Sequence, residues 1–158
     1  MRILRVDDRL VHGQVVAGWA RPLGIQSLIL ASDRISRDEW ACTAYKLAVP
    51  DGIAFACLDL RTCIQTIGPG TDQRRVMVVV EKIADAVILI DGGVAVKEVN
   101  IGGINYSEGA RSIAPYIYLT SDEIEACVRL HQLGVKIIGR QLPNSPPVDV
   151  LKNLAGVK

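Results

Sequence analysis

Short apolar runs rich in β-branched residues recur along this chain, and most are followed by a segment with helical spacing. They are "RILRV" at 2–6, "SLILA" at 27–31, "IAFACL" at 53–58, "RVMVVV" at 75–80, "VKEVNI" at 96–101, "YIYLT" at 116–120 and "KIIGR" at 136–140. A strand covered on both faces reads as a continuous apolar run, and strands separated by helices pair in parallel. The alternation therefore predicts an α/β fold, an open, mostly parallel twisted sheet of about seven strands with helices on both faces. At 158 residues, with no segment long enough to be a linker, the chain is expected to form a single domain over 1–158.

Helix starts are legible in side-chain chemistry. Ser36 with Glu39, and Thr120 with Glu123, have the spacing of a capping box, in which each side chain satisfies a free backbone N–H. Helices are thus expected to begin near Arg37 and Ser121. Gly24, Gly52, Gly92 and Gly134 stand where helices stop or turns are made. "IGPGTDQRR" at 67–75 reads as a loop, and "LPNSPP" at 142–147 precedes a short final helix, "VDVLKNLA". Trp19 and Trp40 are expected to pack helices onto the sheet. Cys42, Cys57, Cys63 and Cys127 lack CxxC spacing and a neighbouring histidine, so they read as reduced, mostly buried thiols.

Eighteen basic and seventeen acidic side chains give a formal charge of +1, which leaves no net field to hold nucleic acid or an anionic membrane. The most apolar stretch, "VMVVVEKIADAVILI", is broken by Glu81, Lys82 and Asp85, short of the roughly 20 apolar residues of a membrane helix. "MRILRVDD" is too soon acidic for a signal peptide. The expected location is the cytoplasm.

In an open α/β sheet, ligands sit beyond the carboxyl ends of the strands. The first such loop lies in "RVDDRLVHGQVV", residues 5–16. His12 directly precedes Gly13 and a segment whose Val15, Val16 and Trp19 share one helical face, so its imidazole is placed at a helix N-terminus, where free N–H groups and the dipole favour an anion. An imidazole of ordinary basicity is mostly neutral at pH 7 and is then a nucleophile. Arg9 can grip phosphate oxygens with its planar fork, and the amides of Gly13, Gln14 and Val15 can bind the same group. The set suits a histidine that accepts and releases a phosphoryl group, with no metal and no cofactor. Two carboxylates facing one phosphate would repel it. One of Asp7 and Asp8 is therefore expected to turn away, orienting Arg9 or bonding loop amides, while the other holds the imidazole tautomer; Asp8 is assigned an orienting role. Spacing alone favours a histidine that merely caps a helix beside a surface arginine–aspartate pair, since most surface charges are simply solvated.

The string "RVDDRLVHGQV" resembles the phosphohistidine loop of the IIB components of the mannose, fructose and sorbose family of the bacterial phosphoenolpyruvate-dependent sugar phosphotransferase system. "VKEVNIGGINYSEGA" at 96–110 is similar to that family's Gly-Gly segment, and "GVKIIGRQLP" at 134–143 to its closing strand. The resemblance implies a predominantly parallel α/β fold and a phosphotransferase. A phosphorylated IIA protein or domain would charge His12 on Nδ1 with Arg9 supporting the phosphate. His12 would then pass the group to a mannose-, fructose- or sorbose-type sugar held by membrane IIC and IID components, with the protein on the inner face of the membrane through its partners.

Glu81 and Lys82 fall in the loop after the fourth run, where Glu81 would weaken a phosphate site if it faced it; Arg34, Gly102 and Gly103 are secondary candidates on the same side. His131 falls in a last helical turn and reads as capping or solvation. Two other functions remain open on the sequence: a regulatory module whose phosphohistidine controls a partner, and a small-anion-binding domain that needs no imidazole. The sugar is not specified. A homo-oligomer is compatible with the apolar faces and required by none of them.

Overall fold

Val76–Val80, "VMVVV", is buried at every position, as a strand covered on both faces must be. Met77 and Val79 face one side and Val76, Val78 and Val80 the other, so the strand contributes to two separate apolar cores. The computed structural model describes residues 1–70 and 74–156. Among them the order is β1 (Arg2–Asp7), α1 (Gly13–Val15) widening into a π-helical stretch (Val16–Ala20), β2 (Ser27–Ala31), a 3-10 turn (Ile35–Arg37), α2 (Glu39–Leu47), β3 (Ala54–Leu58), α3 (Leu60–Ile67), β4 (Val76–Val80) and α4 (Ile83–Asp91). There follow β5 (Glu98–Gly103), β6 (Arg111–Ala114), β7 (Ile117–Leu119), α5 (Ser121–Gln132), β8 (Lys136–Gly139), β9 (Val148–Asp149) and α6 (Val150–Gly156). The loop expected at 67–75 falls partly outside the described residues.

The main sheet has seven strands in the order β3-β2-β4-β1-β5-β8-β9, all parallel but for β9. The expected α/β architecture is thus present, with different membership. The run at 116–120 supplies β7, which pairs with β6 in a separate antiparallel hairpin, and Val148–Asp149 takes the seventh place. Residues of α3, α4 and α5 pack on one face with Leu4, Val6, Val99 and Ile101. Val15, Val16, Trp19 and Ile35 pack on the other with Leu28, Leu30, Met77 and Val79.

Two local expectations are corrected. The helix near Arg37 starts at Glu39: a 3-10 turn occupies 35–37, and the cap is Asp38, whose Oδ1 accepts the Ala41 N–H at 3.0 Å. Trp40 is 88% exposed, because α2 turns Ala41, Cys42 and Tyr45 toward the sheet and leaves Trp40 outside. Gly92 stands at the C-cap of α4, where a helix stop was expected, with right-handed backbone, and the positive φ (108°) falls on the next residue, Gly93. Thr120 and Glu123 do form the capping box. The four cysteines are free; Cys63 and Cys127 are buried, and burial pushes both thiols up to about 12. His131 lies in the last turn of α5 and is exposed.

Candidate phosphoryl-transfer site

β1 lies between β4 and β5, so the loop leaving it is flanked by the loops leaving both neighbours. Along β1, Leu4 and Val6 belong to the core on one face, which turns Ile3, Arg5 and Asp7 to the other. Two of those three are charged. Arg5 and Asp7 are both fully buried, and burial of isolated charges is costly unless they are paired and hydrogen-bonded.

They are both. Arg5 Nη1 donates to Asn100 Oδ1 at 2.6 Å and to the Arg140 carbonyl at 3.1 Å, and its Nη2 donates to Asp7 Oδ2 at 3.1 Å. The guanidinium lies 4.8 Å from the Trp19 ring, whose Nε1–H donates to the Gln141 carbonyl at 2.8 Å. Trp19 reaches this position from the π-helical stretch, where the Arg21 N–H bonds Val16 O five residues back at 3.0 Å. On the sheet side Arg5 rests on Gly102, where any Cβ would fall on the guanidinium. That glycine is the extra residue of a β-bulge, since Val6 pairs with Ile101 and Asp7 with Gly103.

Asp7 collects the surrounding donors. Arg9 grips it with two parallel bonds, Nε to Oδ1 and Nη2 to Oδ2, each at 3.0 Å, and the Arg9 backbone N–H adds a third at 3.1 Å. His12 Nε2 stands 3.3 Å from Oδ2. Burial pushes the Asp7 carboxyl up, but the bonds from His12 and Arg9 and the charge of Arg5 outweigh it and hold the group well below the usual carboxylate range. Burial lowers Arg5 despite Asp7, and the bond to Asp7 raises Arg9.

The loop owes its shape to two buried anchors, Leu10 and Val11. Leu10 has φ 58°, a left-handed conformation that a bulky residue adopts only when its surroundings over-determine it. His12 follows in extended conformation at the N-cap of α1, without a side-chain cap bond. Its edge away from Asp7 is Nδ1. Gly13, Gln14 and Val15 form the first helical turn, whose N–H groups have no carbonyl a turn earlier to bond. Gln14 Oε1 accepts from Arg9 Nη1 at 3.3 Å.

Asp8 does not touch the ring. The contact with the imidazole is made by Asp7, in phase with Arg5 on the pleat, whereas Asp8 accepts the Asn105 N–H at Oδ2, 2.6 Å away. Glu81 is held by Arg34 Nη2 at 3.0 and 3.2 Å, so its charge is locally compensated. Gly103 meets the Arg9–Asp7 pair, and Gly102 backs Arg5. Sequence reasoning missed Arg5, Asn100 and Asn105 as members of the network. Arg5 left a detectable sign: an arginine inside an apolar strand, two residues before an aspartate.

No described helix is long and apolar enough to cross a membrane. Residues 1–157 match the family model of the phosphotransferase-system sorbose subfamily IIB component. The chain is 31% identical over 153 residues to the sorbose-specific EIIB component of Lacticaseibacillus casei, covering 96% of this chain and 93% of that one. It is 27% identical over 150 residues to the mannose-specific EIIAB component of Escherichia coli K12, of which it covers 46%. The crystal structure of the IIB domain of the Klebsiella pneumoniae sorbose permease superposes with a TM-score of 0.91 at 27% identity, over 99% of this chain and 96% of that one. The family model, the sorbose-specific relative and the superposed crystal structure each match nearly the whole of this chain, and the chain belongs to the sorbose subfamily of phosphotransferase-system IIB components, proteins of sugar transport and phosphoryl transfer.

Proposed function

We propose that this IIB component is a phosphoryl carrier that takes its group on Nδ1 of His12 and yields it to a mannose-, fructose- or sorbose-type sugar. The observation that carries this is the 3.3 Å approach of Asp7 Oδ2 to His12 Nε2. An ionised Asp7 keeps the proton on Nε2 and leaves the Nδ1 lone pair free. That lone pair bonds to phosphorus while the N–P bond of a donor histidine breaks and its electron pair stays with the donor. The product ring, still protonated on Nε2, is positive and lies against Asp7. Arg9 Nη1 and the amides of Gly13, Gln14 and Val15 take up the phosphoryl charge, with Gln14 as a displaceable tether. Asp8 acts in placing the loop.

The donor in this reading is a phosphorylated IIA protein, and the acceptor sugar is held by membrane IIC and IID components. The join of A and B units in the name of the mannose relative supports the first partner. The whole chain, 1–158, works as one IIB domain at the cytoplasmic face of the membrane. Incubation with phosphoenolpyruvate, the general phosphotransferase proteins and a matching IIA protein is expected to add one acid-labile phosphoryl group to the intact mass, absent in His12→Ala. Wild-type protein left unmodified by a charged IIA protein overturns the proposal.

A further inference from the structure

Asp8 lies beside the site without entering it, and its bonds give it a different task. Its N–H donates to the Gly103 carbonyl at 3.0 Å, and its carboxylate accepts the Asn105 N–H at 2.6 Å and Asn105 Nδ2 at 3.4 Å. The segment leaving β1 is thereby stapled to the segment leaving β5, and the two are fixed relative to each other. The next residue along that second segment is Tyr106, 66% exposed. Its ring meets Tyr118 edge-on, with centroids 5.7 Å apart at 87°. Behind it, the Ile104 N–H donates to Tyr116 O at 2.9 Å and the Tyr118 N–H to Ile104 O at 3.1 Å. An aromatic ring held in place from behind and open in front has the properties of an interface anchor: large contact area and little rotamer entropy left to lose.

We propose that Tyr106 is a docking anchor for the phosphohistidine-bearing donor protein, held in register with His12 by the Asp8–Asn105 staple. The inference rests on the carrier role of His12. The His12 side chain is only 22% exposed. Transfer between two histidines sets their rings on opposite sides of one phosphorus, so the donor must press on the loops around His12 to reach it. An interface of ordinary size covers about 800 Å² per partner, a patch roughly 16 Å in radius. The chain from Gly103, whose Cβ position would lie 3.4 Å from Arg9 Nη2, to Tyr106 spans at most about 11 Å, which is shorter than that radius and keeps the Tyr106 backbone near the Arg9 side of the site. Arg9, 43% exposed, adds a positive charge facing a partner that arrives carrying a dianion.

The test compares two phosphoryl donors on the full chain: a phosphorylated IIA protein, which must dock, and phosphoramidate, which need not. Tyr106→Ala is expected to raise the KM for the protein donor about tenfold, a typical loss for an aromatic anchor, while the phosphoramidate rate stays within about twofold of wild type. Tyr106→Phe keeps the ring and restores most of the protein-donor KM. Leu47→Ala, at the far end of α2 and equally solvent-facing (84% exposed), alters neither reaction. Equal losses with both donors, or no loss with the protein donor, overturn the anchor. A wild type charged by phosphoramidate and refused by the IIA protein also overturns it, leaving His12 reactive. A wild type that accepts from neither overturns the carrier role as well.

Discussion

Asp7 is reached by three cation-capable side chains and by no solvent, so its charge is a structural commitment as much as a chemical one. Its carboxyl ionises more readily in the folded protein than in the unfolded chain. A depressed folded pKa stabilises the native state at every pH above the ordinary carboxylate value of about 4, and that stability is lost as the pH falls below it. Asp7→Asn is expected to remove one proton's worth of slope, about 1.4 kcal/mol per pH unit, from the acid limb of the stability profile. It should also cost about 3–5 kcal/mol at neutral pH, because Arg5 is left buried without its counter-charge. Urea unfolding followed between pH 2 and 7 checks both, and an unchanged acid limb would assign the slope to other carboxylates. His12 and Arg9 were legible because their spacing repeats a known loop. Choosing between Asp7 and Asp8 required the pleat phase, which the sequence contains only if the strand is continued to its last residue.

Two segments with the same capping-box spacing behave differently as elements. At α5, Thr120 Oγ1 accepts the Glu123 N–H and Glu123 returns a bond to the Thr120 N–H at 2.7 Å. Before α2, Ser32 Oγ accepts the Ile35 N–H at 3.1 Å and fixes a 3-10 turn over the residues where the box would form, so Asp38 becomes the cap. Thr120→Ala and Asp38→Ala should each cost about 1 kcal/mol in urea unfolding, and Ser36→Ala no more than about 0.5. Equal costs at Ser36 and Asp38 would contradict the observed cap. Tyr116–Thr120 was read as a strand and is largely one, but apolar content does not say which sheet a strand joins. Its alternation of buried Ile117 and Leu119 with half-buried Tyr118 is the mark of a one-faced hairpin. Trp40 was misplaced because α2 carries apolar residues on two sides, and only packing against β3 decides which is inward.

At the scale of the whole molecule, the sequence identified the strand-to-helix loops as the place to look, and the strand order determines which of them meet. That order has a consequence in time. β1 carries the first residues of the site, yet its neighbours are Val76–Val80 and Glu98–Gly103, and the staple from Asp8 closes on Asn105. During synthesis at about 5–20 residues per second, His12 waits on the order of 5–20 s for residue 105 to exist. In refolding, the long loops to be closed delay the same pairings relative to β2 with β3, which are much nearer in sequence. Pulse-labelled hydrogen exchange should therefore find the β1 amides protected after those of β2 and β3; the reverse order would mean that collapse around β1 precedes local pairing. The segment made first acquires its working shape last, and until then its buried arginine and aspartate are simply solvated charges on an unfolded chain.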